Sequence, residues 1–169
     1  VFCLAVNNTG TTQGFNASNA SDIFVNCTAY GNGAAGFLFP NSANRLCVGI
    51  NSLSYGNTGV GFNTGTTSPI NLLVGCAAGN NSTNYSTSFA LWGEQSCITL
   101  TADPFTSAAG SDFSLNNNAG GGALCRAAGA IGAFPGISTT TTYQDIGAVQ
   151  HKDPGGMLVH PGTAGGARG

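Results

Sequence analysis

One phrase of residues returns along this chain at a fixed interval. Val25-Asn26-Cys27-Thr28-Ala29-Tyr30-Gly31-Asn32 comes back as Ile50-Asn51-Ser52-Leu53-Ser54-Tyr55-Gly56-Asn57, and again in the shorter form Val74-Gly75-Cys76-Ala77-Ala78-Gly79-Asn80. A second phrase keeps the same beat: Gly14-Phe15, Gly36-Phe37, Gly61-Phe62. Tyr30 and Tyr55 are 25 residues apart, and so are Gly36 and Gly61. A period of this length marks one structural unit laid on the next, each unable to bury its apolar face alone. Such a unit holds two or three short strands and their turns. It has no room for a helix of about ten residues as well, which sets aside leucine-rich and βαβ repeats. The expected fold is all-β, a solenoid of stacked short strands.

Composition agrees with strands and tight turns. Only 6% of residues are charged, against about 25% in ordinary domains. The solvated surface must therefore be built from Asn, Thr, Ser and Gly, all poor helix residues. A net charge of −2 with four scattered cations cannot neutralise a phosphate track, so nucleic acid is not an expected partner. No apolar run is long enough to span a bilayer, and no membrane partner is expected. No signal peptide is visible. The chain opens at Val1 inside the strand-like run Val1-Phe2-Cys3-Leu4-Ala5-Val6, and is expected to be a processed or partial product.

Residues 1–101 carry the repeat. Alternation through Ile23–Ala29 places Ile23, Val25, Cys27 and Ala29 on one face, expected to be the interior, matched by Val48, Ile50, Ser52 and Ser54 and then by Leu72, Val74 and Cys76. Phe24, Leu53 and Leu73 then project outward as an apolar stripe, a candidate partner interface. Tyr30 and Tyr55 share an outer column and, with Trp92, are candidate glycan contacts. The Gly-Asn pairs place Asn32, Asn57 and Asn80 at the coil turns, where Asn tolerates left-handed backbone and stacked amides can bond between coils. Residues 102–150 leave the rhythm and are expected to form an irregular cap over the last coil. Residues 151–169 form a Gly-rich tail or arm whose Met157, Leu158 and Val159 are further candidates for docking on a neighbour.

Residues with catalytic chemistry are sparse. Asp22, Arg45, Glu94 and Asp103 are the charged side chains of the repeat region and its exit. Asp22 and Arg45 fall on adjacent coils, where a surface ion pair contributes little. Asp22 and Glu94 lie about three coils, or about 14 Å, apart, beyond the roughly 5–10 Å between paired glycosidase carboxylates. His151 and His160 have no cysteine near them, so no metal site and no cofactor are expected. Cys27, Ser52 and Cys76 form one expected column, and Cys47, Asn71 and Cys97 another. In each, the thiols lie two coils apart, about 9.6 Å against the roughly 6.8 Å limit for a disulfide, so free thiols are expected, in keeping with assembly in a reducing cytoplasm. Asn-x-Ser/Thr triplets start at Asn7, Asn16, Asn19, Asn26, Asn80, Asn81 and Asn84. In a chain so rich in Asn and Thr they are expected by chance rather than as glycan acceptors.

The coil phrases resemble right-handed parallel β-helix proteins, the architecture of pectate lyases and of many bacterial surface and phage proteins. The closing phrases Asp103-Pro104-Phe105, Ser111-Asp112-Phe113-Ser114-Leu115 and Asp145-Ile146-Gly147-Ala148 are similar to the endings of many such repeat proteins. A further phrase usual in those endings is replaced here by residues 122–129. The low-charge, Ala-, Gly-, Asn- and Thr-rich coils are similar to structural proteins of environmental phages. The resemblance implies a right-handed parallel β-helix of about four or five coils. It also implies a non-catalytic role in a virus particle (capsid decoration, fibre or spike), as a homo-oligomer, a trimer before others, bound to other virion proteins. The expected location is the virion or another extracellular surface, after assembly in the host cytoplasm. The alternatives are a carbohydrate-active β-helix (polysaccharide lyase or tailspike-type glycosidase) and a glycan-binding adhesive module.

Overall fold

Short β-branched and aromatic runs, separated by Gly, Asn and Ser, form three strands in each turn of a parallel β-solenoid. The computed structural model describes residues 2–17, 21–39, 46–64, 71–86, 94–130 and 144–150, with the backbone alone at 94 and 95. The first sheet stacks β1 (Leu4–Val6), β4 (Thr28–Tyr30), β7 (Leu53–Tyr55), β10 (Ala77–Gly79) and β13 (Ile98–Leu100). The second stacks β2 (Phe15–Asn16), β5 (Phe37–Phe39), β8 (Val60–Thr64) and β11 (Thr83–Tyr85). The third stacks β3 (Ile23–Val25), β6 (Val48–Ile50), β9 (Leu72–Val74) and β12 (Glu94–Gln95). All these pairings are parallel and in register: Tyr30 lies beside Tyr55, and Val25 beside Ile50. The stack makes about three turns, fewer than the four or five expected. The second and third sheets hold four strands each, three steps from end to end, and the first sheet adds a fifth strand.

The corner between the third and first sheets decides which side chains face inward. Phe2, Asn26, Asn51, Gly75 and Ser96 occupy this corner in successive coils, each with φ between 49° and 57°. A left-handed residue interrupts the two-residue alternation of a strand. Phe24 and Leu73 therefore point inward before the corner, and Cys27, Ala29, Cys76 and Ala78 point inward after it. Strict alternation through residues 23–29 had put Ile23 and Val25 inside. The structure reverses that phase, leaving Ile23 54% exposed and Leu73 fully buried, while Val25 and Ile50 are buried in a separate cluster with Val48. Gly49 occupies the column between Phe24 and Leu73, where a Cβ would meet Leu73 Cδ2 at 2.7 Å.

Two side-chain ladders run through the stack. Asn32 Nδ2 donates to Asn57 Oδ1 (2.8 Å), and Asn57 Nδ2 donates to Asn81 Oδ1 (2.8 Å). The backbone N–H groups of Asn8, Asn32 and Asn57 donate to the amide oxygen one coil on. Asn32, Asn57 and Asn81 also donate to the carbonyls of Ala5, Ala29 and Ser54 in the preceding coil. The third rung is Asn81, not Asn80. The third phrase runs at full length, so Asn80 falls in the column of Gly31 and Gly56, shares their left-handed backbone and is exposed.

The second ladder is aromatic. Phe15, Phe37, Phe62 and Tyr85 stack nearly parallel, with ring centroids 4.8, 4.7 and 5.7 Å apart. The glycine before each Phe keeps the backbones close: a Cβ on Gly36 would lie 2.7 Å from Gly61 O and 2.2 Å from Ser54 Oγ. The Gly-Phe phrase is thus the second sheet's stacking signal, since a ring column needs a slot without side chains beside it.

Replacing Asn57 by Ala removes both amide bonds and leaves the buried Asn32 backbone N–H without its acceptor, the Asn57 Oδ1. Urea denaturation is expected to show a loss of about 2–3 kcal/mol for Asn57→Ala. Asn80→Gly is expected to stay within about 0.5 kcal/mol of the parent, because glycine accepts the same positive φ without strain. Equal losses at the two positions would contradict the register.

Candidate functional site

Residues after the coils build an extended polar cluster on the flank of the stack. A hairpin of β14 (Phe105–Ser107) and β15 (Asp112–Leu115) follows the last coil, then a short helix, α1 (Gly122–Cys125). Phe105, Phe113, Leu115, Cys125 and Ile146 pack on Leu53, Tyr55, Ala77 and Leu100, with Val6 and Tyr30 at the margin. This region was expected to cover the last coil. Its described residues pack along the outer face of the first sheet, in one cluster with Val6, Tyr30, Leu53, Tyr55, Ala77 and Leu100. The reason is the parity of that sheet, which turns the apolar Leu53, Tyr30 and Tyr55 outward.

The closing phrases hold this flank in place. Asp103 Oδ1 accepts from the Phe105 N–H at 2.9 Å, and Asp112 Oδ1 accepts from Ser114 Oγ (2.6 Å) and N–H (3.0 Å). The Ser114 hydroxyl, then its N–H, holds the Asp112 carboxyl below its usual range. The third phrase docks on the left-handed corners. Asn26 Nδ2 donates to Asp145 O (3.0 Å) and Gly147 O (3.2 Å), and accepts at Oδ1 from Gln144 Nε2 (2.9 Å). Asn51 Nδ2 donates to Gln144 Oε1 (3.2 Å) and Ala130 O (3.0 Å), while its Oδ1 accepts from the Ala130 N–H (2.7 Å). Asp145, itself buried, accepts from the Ala127 N–H at 2.8 Å. The repeating corner Asn therefore does two jobs. Its backbone turns the coil, and its amide, left pointing outward by that turn, binds the flank.

These contacts relocate most of the residues singled out by sequence. Tyr30 and Tyr55 share an outer column as expected, but they pack edge-on against Phe105 (centroids 5.5 and 6.3 Å), and Tyr30 also meets Phe113 at 5.5 Å. Both rings thus pack against the chain's own flank, with Tyr55 buried and Tyr30 half-buried. Leu53 faces outward but is fully buried beneath that flank. Phe24 and Leu73 are not on an outer face at all: Phe24 lies 5.6 Å from both Phe15 and Phe37, and Leu73 is in the same core. The outward apolar column of the third sheet is instead Ile23, Val48 and Leu72, in register on neighbouring strands. Ile23 and Leu46 are exposed, while Val48, Leu72 and Val74 are half-buried. Met157, Leu158, Val159, Trp92 and Arg45 lie outside the described residues.

Asp22 precedes β3, and Glu94 opens β12, three strands along the same sheet. Among the described residues no group of three or more His, Cys, Asp or Glu is placed to hold a metal ion, and no helix is long and apolar enough to cross a membrane. Asn26 and Asn81, two of the Asn-x-Ser/Thr positions, have their amides committed to hydrogen bonds within the fold.

All six cysteines are thiols. Cys27 and Cys76 are buried and two coils apart, in line with Ser52. Cys97, however, stands in that column beside Cys76, not in the column of Cys47 and Asn71. The last turn is shorter than the others, so counting a constant period misplaces it. Burial pushes the Cys27, Cys47 and Cys76 thiols above their ordinary 9.0, and Cys125 up to about 12, with the Asp145 carboxylate adding to the last. Burial, then Asp103 and Tyr30, raises the Tyr55 phenol.

Comparison with protein-family models, with curated proteins and with solved structures finds no match.

The raised thiols make stability fall at alkaline pH. Unfolded thiols release protons near pH 9.0 while Cys125 holds its proton to about 12. The stabilisation is whole below the unfolded value and is lost as pH climbs toward the folded one. The urea midpoint is expected to fall between about pH 9 and about pH 11, with a shallower fall in Cys125→Ala. A midpoint unchanged over that range would contradict the burial of these thiols.

Proposed function

We propose that this chain is a non-catalytic structural component of a virus particle, a rod whose lateral face docks on copies of itself and on neighbouring particle proteins. The observation that carries the reading is the third sheet's outward column, Ile23, Val48 and Leu72, flanked by exposed Leu46. A contiguous apolar stripe on a surface with so few charges is the kind of face that interaction sites use. A second support is the use made of polar side chains. The Asn ladder, the corner amides and Asp103, Asp112 and Asp145 all serve internal bonding. The resemblance of the coil and closing phrases to phage β-helix proteins supplies the particle context, and a homo-oligomer is the assembly proposed.

The test is mass spectrometry of purified particles whose genome encodes the chain, with the oligomeric state of the isolated protein measured by sedimentation. The protein is expected in stoichiometric amount in the particle and as an oligomer in solution. Leu72→Lys is expected to shift the oligomer to monomer with the fold retained by circular dichroism. Absence from particles together with a monomeric protein would overturn the proposal. Cleavage of an oligosaccharide by the intact protein would replace it with the polysaccharide lyase or glycosidase reading.

A further inference from the structure

One column of the coil stack carries sulfur at four of its five described positions. The register that pairs Leu4 with Thr28 sets Cys3 beside Cys27, and the register that pairs Ala77 with Ile98 sets Cys76 beside Cys97. Ser52 stands between the two pairs, its Oγ accepting from the Cys27 N–H at 3.3 Å. Backbone bonds hold each pair in line: the Thr28 N–H donates to Cys3 O and the Ile98 N–H to Cys76 O, both at 2.8 Å. Opposed residues on neighbouring strands are separated by about 4.8 Å, inside the roughly 4.4–6.8 Å Cα window of a disulfide. Within each pair one cysteine is buried, Cys27 or Cys76, and the other reaches solvent: Cys3 is exposed and Cys97 half-buried. Both pairs also tie a sheet margin to its neighbour, because β1 and β13 are the two outermost strands of the first sheet.

We propose that Cys3–Cys27 and Cys76–Cys97 are two oxidation sites that close into disulfides across adjacent coils when the protein meets a small disulfide oxidant such as glutathione disulfide, clamping both margins of the stack. At the second pair, the Cys97 thiolate attacks one sulfur of the oxidant. A mixed disulfide forms at Cys97 and one glutathione thiolate leaves. Cys76 then loses its proton, and its sulfur attacks Cys97 Sγ. The Cys76–Cys97 bond forms, the bond to glutathione breaks, and the second glutathione thiolate leaves. Two protein thiols become one disulfide, one oxidised glutathione becomes two reduced ones, and the two protons end on those thiols. The first pair follows the same course, with Cys3 as the attacking group. The outer cysteine is the point of entry in each case, since burial keeps Cys27 and Cys76 protonated and shielded. A rod that stacks under reducing conditions is thereby locked once it passes to an oxidising one. The register supports these two pairs whatever the rod is attached to.

The experiment treats the full chain, under native conditions, with reduced or oxidised glutathione, then alkylates remaining thiols and maps linkages by peptide mass spectrometry. Thermal unfolding is followed on both samples. The expected result is two linkages, Cys3–Cys27 and Cys76–Cys97, each with the loss of two hydrogens. Cys47 and Cys125 are expected to remain thiols, and Tm to be higher in the oxidised sample and restored by dithiothreitol. Cys97→Ser is expected to keep the first linkage alone, and Cys3→Ser the second alone. Serine already occupies this column at Ser52, so both variants retain the stack. Persistent glutathione adducts on Cys3 and Cys97 without bridging would overturn the proposal. So would bridges that form only in urea, bridges that include Cys47 or Cys125, or oxidation that leaves Tm unchanged.

Discussion

In-register stacking of one backbone turn upon another is the constraint from which the rest of this molecule follows. Parallel pairing places like residues above like, so any side chain able to bond along the stack can repeat the bond at every step. Asn32, Asn57 and Asn81 do so through their amides, and Phe15, Phe37, Phe62 and Tyr85 through their ring faces. The amide carries a donor and an acceptor, so a buried column of them is satisfied at each interior rung, by the next amide and by the carbonyl of the preceding coil. The aromatic column fills the interior without demanding polar partners. Together they let a chain with 6% charged residues build an ordered stack, since polar satisfaction comes from repetition rather than from ion pairs.

The left-handed corner is the second organising element, and it links fold to surface. By interrupting alternation at Asn26, Asn51 and Gly75, it sends Phe24 and Leu73 into the core and turns Tyr30, Leu53 and Tyr55 outward. An outward face of that kind must be covered, and residues after the coils pack on it in one cluster with Val6, Tyr30, Leu53, Tyr55, Ala77 and Leu100. The corner amides supply the polar anchor for this cover through Gln144, Ala130 and the carbonyls of Asp145 and Gly147. The Asp145-Ile146-Gly147-Ala148 phrase is thereby a docking strap: Ile146 is buried, Gly147 N–H donates to Asn51 O at 2.7 Å, and Ala148 N–H donates to Thr28 Oγ1 at 2.8 Å. The closing phrases that resemble the endings of other β-helix proteins have here a structural purpose, which is to seal one flank of the rod.

How far the site could be read in advance depended on local parity. The Tyr30–Tyr55 and Val25–Ile50 registers were legible because repeated phrases of equal length superpose without adjustment. The rung at Asn81 was within reach of the same reasoning, had the third phrase been aligned at full length so that Gly79 met Tyr55. Asn8, 24 residues before Asn32, extends the same column. The partner stripe was not legible, since one positive φ at residue 26 reverses the facing of residues 23–25 relative to 27–29, and nothing in the alternation itself announces it. Cys97 was misplaced for a simpler reason: it follows Cys76 by 21 residues, fewer than the 24 or 25 of the preceding steps in its column, and a constant period overshoots it.

Repetition, low charge and turn composition determined by themselves that this chain is a parallel β-solenoid, because only stacked identical units make use of a short period with so few helix formers. The tertiary structure alone decided which face is core, which is surface and what lies over it. Those choices turn on the handedness of single corner residues and on long-range bonds such as Asn26 to Gln144, separated by 118 residues along the chain. Periodicity records spacing along the backbone, whereas facing depends on the sum of backbone rotations, and one left-handed residue is enough to change its sign.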